Sequence, residues 1–200
     1  MKRKYRGSAT DDEKEDASAT DESSLVRVIQ NRIYFYADIS KETVLNLYEK
    51  INEAHESASK NESAHSPRTI YLYIHSDGGC AYSALSAFFH LRQHPCKIVT
   101  IADGFCASAA TILFLGGHER WISKHACLLI HQLRTCFYGK FDDLRDEFKN
   151  STTLMNTLRE IYTTHTNIST VLLDKCLSSE EWITSAQCIE HGIAQKLLAI

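Results

Sequence analysis

The sequence predicts an α/β fold, and three observations carry this prediction. Strand and helix signals alternate along the chain from Leu25 onward. The runs Ile70–Ile74 and Lys97–Ala102 are almost continuously apolar, as is typical of parallel strands covered on both faces. Segments with helical spacing of apolar residues separate the strands, which is the pattern of strand–helix units in an α/β sheet.

The first half of the chain contributes two strands and two helices to this prediction. Ile33–Tyr36 is expected to form a strand, after which Ser40 caps a helix whose apolar residues recur at helical spacing. A polar loop over residues 59–68 leads to the strand at Ile70–Ile74. After a Gly-Gly turn, a second helix is expected through Ala84–Leu91.

The second half begins with the strand Lys97–Ala102, which is followed by a helix over Ser108–Leu115. Cys127–His131 is expected to form another buried strand. A long amphipathic helix is then predicted from about Gly139 to Thr166. Its apolar side is expected to contain Leu144, Phe148, Leu154, Leu158, Ile161 and Tyr162.

Composition divides the 200-residue chain into a tail and one domain. Residues 1–24 contain no Leu, Ile, Val or Phe and are rich in charge, so we expect them to be a disordered charged tail. They do not resemble a signal peptide, because they lack an apolar run. Residues 25–200 are long enough to bury a full core, and we expect them to form a single domain.

Charge, hydropathy and cysteine content exclude some classes of function. The net charge is −3, whereas a general nucleic-acid binder is usually basic. The longest apolar stretches, such as Ile112–Leu115, are too short to cross a bilayer. Seven cysteines with no C-x-x-C pair favour a reducing, cytoplasmic compartment. We therefore expect neither nucleic-acid nor membrane binding.

Two turns that follow buried strands could carry chemistry, because open α/β sheets place their sites at the carboxyl ends of strands. In Ser76-Asp77-Gly78-Gly79, the paired glycines would allow a ligand close to the backbone amides, although by themselves they are more typical of a plain strand-to-helix turn. In Gly104-Phe105-Cys106-Ala107-Ser108-Ala109-Ala110, Ser108 is either an N-cap or a nucleophile at the positive end of a helix.

Histidines form two further candidates. His131 ends an apolar strand, so it is either structural or, if Ser108 lies beside it, a general base. His90 and His94 lie four residues apart with Cys96 close behind, a spacing that can hold a metal. We interpret them as a solvent-facing or boundary pair and expect no metal site.

Four segments resemble, in order and spacing, motifs of the proteolytic subunit family of Clp proteases (ClpP). Ser76-Asp77-Gly78-Gly79 is similar to the family's S-P-G-G turn, and the segment around Ser108 to its G-x-x-A-S-M turn. Leu129-Ile130-His131-Gln132 resembles M-I-H-Q-P, and residues 182–193 resemble the closing F-x-S-A-x-E-A-x-x-Y-G-L stretch. The resemblance covers about Arg32 to Leu198.

The resemblance implies a ClpP/crotonase-like fold of repeated β-β-α units with a protruding long "handle" helix. It implies a serine endopeptidase that cleaves unfolded polypeptides by acyl-enzyme chemistry inside an oligomeric chamber. Ser108 would be the nucleophile and His131 the base, with the amides of Gly79 and Ala109 forming the oxyanion hole. Heptameric rings, either single or two stacked, and a separate AAA+ unfoldase of Clp type that uses ATP are also implied. No cofactor is expected in this chain.

The acid of the triad is less directly indicated. The family's aspartate stands two residues before the aromatic residue that Trp182 replaces, so Glu180 matches it. Glu181 and Asp174 remain alternatives, and Glu180 could instead only cap a helix start.

Several residues depart from the family motifs. Leu133 replaces a proline, Asp77 replaces another, and residues 134–139 keep a single glycine where the family has a glycine-rich strand. These departures leave open a catalytically weak or silent structural subunit of a ring complex. A third hypothesis is an acyl-CoA hydratase or isomerase of the same superfamily, which uses the same oxyanion turns on a thioester.

Overall fold

The computed structural model describes residues 25–60 and 69–198. Its strands are β1 (Val26–Ile29), β2 (Arg32–Phe35), β3 (Thr69–Ser76), β4 (Lys97–Ala107), β5 (Glu119–Ser123), β6 (Cys127–Leu129), β7 (Ile183–Thr184) and β8 (Lys196–Leu198). Its helices are α1 (Lys41–Lys60), α2 (Ala81–Gln93), α3 (Ala109–Leu115), α4 (Phe141–His165), α5 (Thr170–Leu177) and α6 (Ser185–Glu190). The predicted tail over residues 1–24 lies outside the described residues.

The described strands form one mixed sheet in the order β1-β2-β3-β4-β5-β8. β1 pairs antiparallel with β2, and the remaining pairs along this path are parallel. β6 branches from the second half of β4 and carries β7 as an antiparallel neighbour. This sheet with its connecting helices confirms the predicted α/β class.

β4 is longer than predicted, and its extension creates the branch in the sheet. The sequence indicated a strand that stops at Ala102, but the structure continues it to Ala107. Val99–Ala102 pairs with β5, whereas Phe105–Ala107 pairs with β6. Gly104 lies between the two halves with a φ of 127°, where a side chain would collide with the His75 ring. The prediction was wrong because Gly104 redirects the strand instead of ending it.

β3 corrects the prediction that its strand is covered on both faces. Ile70, Leu72 and Ile74 are fully buried, but Tyr71 and Tyr73 between them are only partly buried. Tyr73 stacks on Tyr34 of β2 with ring centroids 5.0 Å apart. The strand therefore alternates between a buried aliphatic face and a partly exposed aromatic face, which counting aromatic residues as apolar concealed.

The helices follow their sequence signals, with two differences. The Ser40 hydroxyl accepts a hydrogen bond from the Thr43 amide (3.1 Å) and caps α1 as predicted, but α1 extends to Lys60, beyond the expected start of the loop at residue 59. Only the second half of the predicted apolar side of α4 is covered by the chain itself. Leu154, Ile161 and Tyr162 are buried there, whereas Leu144 and Phe148 are exposed.

The sequence analysis did not identify β1, β5, β7, β8, α5 or α6, which are mostly short. Arg120 of β5 is the clearest structural residue among them. Its buried guanidinium donates to the carbonyl oxygens of His165, Gly192 and Ile193 at 2.7–3.1 Å. It therefore joins β5, the end of α4 and the segment before β8. Among the described residues, no helix combines the length and apolar character needed to span a membrane.

Candidate active site

Ser108 lies at the junction between β4 and α3 in an unusual backbone conformation. Its φ of 54° and ψ of −125° lie in a region that non-glycine residues seldom occupy, and such strain costs on the order of 1–3 kcal/mol. Its amide donates to the Leu129 carbonyl (2.8 Å), which helps to hold the turn. The hydroxyl makes no capping bond to α3. Ser108 therefore occupies the N-cap position without acting as a cap, and its Oγ is directed elsewhere.

His131 meets Ser108 because β4 and β6 run parallel. Ala107 pairs with Leu129 in this ladder, so the residues that follow the two strands emerge at the same edge of the sheet. His131 Nε2 lies 2.8 Å from Ser108 Oγ, within hydrogen-bonding distance. The His131 side chain is only 13% exposed, so water has little access to the pair.

Glu180 is the acid that the structure places at His131. Its Oε1 lies 3.1 Å from His131 Nδ1, on the side of the ring opposite Ser108. Glu180 lies between α5 and β7 and begins neither the preceding nor the following helix, so the helix-capping interpretation does not fit. The Arg134 guanidinium also approaches Glu180 Oε1, at 3.7 Å.

The two alternative acids have other partners. Asp174 forms an ion pair with Arg159 of α4. Glu181 forms one with Lys175 at 3.2 Å. Of the three candidate acids, Glu180 is the one that contacts the His131 imidazole.

The two glycines pack closely on neighbouring backbone, Gly78 on the serine turn and Gly79 on Ile39. A Cβ on Gly78 would lie 2.7 Å from Ser108 Cβ and 2.8 Å from the Ala107 carbonyl oxygen. A Cβ on Gly79 would lie 2.4 Å from the Ile39 carbonyl oxygen. Both glycines also have positive φ, 106° and 132°. The close approach requires glycine at both positions.

The bridge between Ile39 and Gly79 orients the Gly79 amide. Ile39 donates to the Gly78 carbonyl (2.6 Å) and accepts from the Cys80 amide (2.7 Å). Because successive backbone groups of an extended segment point to opposite sides, the Gly79 amide faces away from Ile39. Gly79 and Ala109, the first residue of α3, both line the cavity beside Ser108. Two backbone donors thus border the space in front of the hydroxyl.

A cavity of about 310 Å³ opens in front of Ser108 and His131. Its wall is mainly apolar and includes Ile112, Leu133, Leu158, Tyr162 and Leu177. The sequence analysis assigned no site role to these residues. Leu158 and Tyr162 are four positions apart in α4. This spacing is as typical of residues packed in the core as of residues that line a cavity, so the sequence offered no signal to separate the two roles.

Buried groups around the cavity are held neutral. Burial raises the pKa of the Tyr162 phenol well above its usual range, and its hydroxyl is hydrogen-bonded to Thr111 of α3. Burial also raises the pKa of the Cys106 thiol, two residues before Ser108. The charged residues that line the cavity besides His131 are Asp77 and Arg134.

An α/β sheet that brings a serine, an imidazole and a carboxylate into one hydrogen-bonded row has the architecture of a serine hydrolase. Comparison with known proteins narrows this class. The family model described as Clp protease matches residues 26–200, and the chain belongs to this family.

Two relatives illustrate the similarity. The chain is 25% identical over 139 residues to the ATP-dependent Clp protease proteolytic subunit of Porphyromonas gingivalis. This match covers 68% of the chain and 63% of that relative's length. Among solved structures, a mutant of ClpP1 from Listeria monocytogenes shares the fold with a TM-score of 0.69 and 16% identity, over 82% of this chain and 89% of that one. The predicted family and its ClpP-like fold are thereby confirmed.

Proposed function

We propose that this chain is a serine endopeptidase, the proteolytic subunit of an ATP-dependent Clp-type protease that cleaves unfolded polypeptides. The observation that carries the proposal is the row formed by Ser108 Oγ, the His131 ring and Glu180 Oε1, with contacts of 2.8 and 3.1 Å. Membership of the Clp protease family supports the reaction class.

In this proposal the three side chains have separate roles. His131 Nε2 accepts the Ser108 proton as Oγ attacks the peptide carbonyl, and it later returns a proton to the leaving amine. Glu180 holds the Nδ1–H tautomer and stabilises the imidazolium. Water then enters, gives its proton to His131 and releases the acyl group, which restores Ser108.

The amides of Gly79 and Ala109 would stabilise the oxyanion that forms on the carbonyl oxygen. Such a donor is commonly worth roughly 3 kcal/mol of transition-state stabilisation. Both residues line the cavity with Ser108, so a carbonyl there could reach the hydroxyl and both donors together. The apolar wall at Ile112 and Leu158 favours substrates with an apolar side chain next to the scissile bond.

We also propose that the chain works as part of a ring assembly. The exposed apolar side chains at the start of α4, Phe141 and Phe148, are 80% and 72% exposed, and burial against another copy would stabilise them. Two stacked heptameric rings and a Clp-type AAA+ unfoldase that supplies ATP hydrolysis are the partners we expect, in a cytoplasmic setting. Peptide-bond cleavage itself needs no cofactor in this proposal.

A fluorophosphonate probe and an unfolded polypeptide such as casein test the activity together. We expect the assembled protein to be labelled at Ser108 and to release casein peptides, and Ser108→Ala to lose both. Thioester turnover that survives Ser108→Ala would instead support the hydratase or isomerase hypothesis. The test should include the purified chain alone and together with a Clp-type unfoldase and ATP.

A silent structural subunit remains the second candidate, and two observations favour it. Glu180 is 62% exposed, so solvent weakens its hold on His131. Residues 134–139 form neither helix nor strand, although the family segment that they match is a glycine-rich strand that helps to line the peptide site. If the assembled particle is never labelled and Ser108→Ala changes nothing, this second function is favoured.

A further inference from the structure

A group of metal-ligating side chains lies at the other end of β4 from Ser108. His55 comes from α1, His94 follows the end of α2, and Cys96 immediately precedes β4. The ligand atoms of these three residues all lie within 4.8 Å of one another. His94 and Cys96 were considered from sequence as part of a boundary pair with His90, but His55 is 39 residues before His94 and had no sequence signal.

The distances are close to those of a tetrahedral zinc site. Cys96 Sγ lies 3.5 Å from His55 Nδ1 and 3.8 Å from its Nε2. Zinc bonds of about 2.3 Å to sulfur and about 2.0 Å to nitrogen hold two such ligand atoms about 3.6 Å apart. The spacing of Cys96 and His55 therefore already fits, and His94 needs a shift on the order of 1 Å to reach the same ion.

The hydrogen bonding of His94 and the burial of Cys96 suit these two side chains to coordination. The Cys96 amide donates a long hydrogen bond to His94 Nδ1 (3.2 Å), so this nitrogen presents a lone pair that a cation can take over. Cys96 itself is only 7% exposed, which is typical of a sulfur ligand held inside a structural site.

We propose that His55, His94 and Cys96 bind a divalent cation of the zinc class. On binding, the Cys96 thiol gives its proton to solvent and the thiolate bonds to the ion, while both imidazoles coordinate as neutral donors. His90 does not supply the fourth ligand, because its ring stacks on Tyr48 with centroids 3.9 Å apart. A water molecule takes that position.

The site has a structural role and is independent of the proposed peptidase activity. β4 has 11 residues, so Cys96 and Ser108 lie on the order of 30 Å apart at its two ends. An ion at His55, His94 and Cys96 cannot reach the reacting atoms. It joins α1, the end of α2 and the start of β4.

Cobalt is the probe for this site, because it takes the same ligands as zinc and its thiolate bond absorbs light. We expect the chelator-treated full chain to bind one Co²⁺ with a thiolate-to-cobalt charge-transfer band, which Zn²⁺ then removes. Cys96→Ser should abolish the band, and His55→Gln or His94→Gln should weaken Co²⁺ binding by about 100-fold. The exposed residues Cys136 and His125 provide the matched controls Cys136→Ser and His125→Gln, which should bind as the unaltered chain does.

A second measurement keeps the test decisive if Cys96→Ser does not fold. Zn²⁺ should slow alkylation of Cys96 in the unaltered chain and raise its thermal midpoint by about 5 °C, and His94→Gln should lose both effects. Absence of the charge-transfer band, or a band that persists in a folded Cys96→Ser chain, would overturn the proposal. Fluorophosphonate labelling of Ser108 is read separately, so failure of the peptidase proposal and failure of the metal site are distinguishable.

Discussion

Glu180 contacts His131 across 3.1 Å, yet 62% of the Glu180 side chain is open to solvent. A carboxylate that orients a catalytic imidazole is more effective when water is excluded, because water weakens the attraction between the two charges. Arg134, itself 83% exposed, competes for the same Oε1 at 3.7 Å. The triad that the structure assembles therefore has a firm contact on the serine side and a looser one on the acid side.

This relationship predicts a graded effect of the three acids on acyl-enzyme formation. Glu180→Gln should lower kcat/KM by about 10²- to 10⁴-fold, because the amide no longer stabilises the imidazolium. Glu181→Gln and Asp174→Asn should change it less than about twofold, since their ion pairs are formed with Lys175 and Arg159. The rate of fluorophosphonate labelling of Ser108 is to be measured for all three variants and for the unaltered chain. A greater loss of labelling rate in Asp174→Asn than in Glu180→Gln would show that the assignment of Glu180 as the triad acid is wrong.

Gly78→Ala should remove activity through a steric conflict. The new methyl group would lie 2.7 Å from Ser108 Cβ, at a φ of 106° that alanine adopts with strain, so the serine turn must move. We expect labelling to fall at least about 100-fold, because small displacements of a nucleophile are costly. Gly139→Ala is the control, because Gly139 has no positive φ and its nearest contacts, Asp143 Cβ and Oδ2 at 3.1 Å, need to move by only a few tenths of an ångström. Equal labelling of both variants would contradict the proposed contact.

Arg120→Met should destabilise the domain by about 3 kcal/mol or more. Burial lowers the pKa of the Arg120 guanidinium to about 10, and three carbonyl oxygens in the second half of the chain would lose their donor. The exposed Arg145, changed to Met, should alter stability by less than about 0.5 kcal/mol. Urea unfolding of the two variants provides the comparison, and a similar midpoint for both would disprove a structural role of Arg120.

His165 should make the domain less stable in mild acid. Burial, together with Arg92 and Arg120, lowers its pKa in the folded state below the ordinary value. The unfolded chain therefore binds its proton first, so this stability is present above about pH 6.5 and is lost as the pH falls through the folded pKa. His165→Phe keeps the ring that packs on Phe88 and should flatten the fall in thermal midpoint from pH 7.5 to 5.5. An unchanged slope would show that His165 does not contribute.

The strand–helix alternation and the motif positions could be predicted because both are local. Ser40, with its capping hydroxyl, marks the start of α1 in the sequence. Ser108 and His131 each follow a buried strand. Glu180 was identified only through the family resemblance, since nothing in its own neighbourhood separates it from Glu181. Which of Glu180 and Glu181 contacts His131 depends on where α5 ends and on the ion pair that Glu181 forms with Lys175.

Features that depend on distant parts of the chain could not be predicted. The bend of β4 at Gly104 arises from two different pairing partners, and a linear pattern shows only one strand. The aromatic face of β3 becomes visible only when Tyr73 is seen against Tyr34. The cluster of His55 with His94 and Cys96 likewise arises when α1 lies beside the end of α2.

The buried guanidinium of Arg120 has a consequence for biosynthesis. Two of its three acceptors, the carbonyls of Gly192 and Ile193, and the β8 strand that pairs with β5, are made after α5 has been translated. A nascent chain that has emerged only as far as α5 contains the Arg120 guanidinium but neither these two carbonyl acceptors nor β8. We therefore expect the sheet to be completed only after residues 192–198 have left the ribosome, and products that stop before Gly192 to fold poorly and to be degraded.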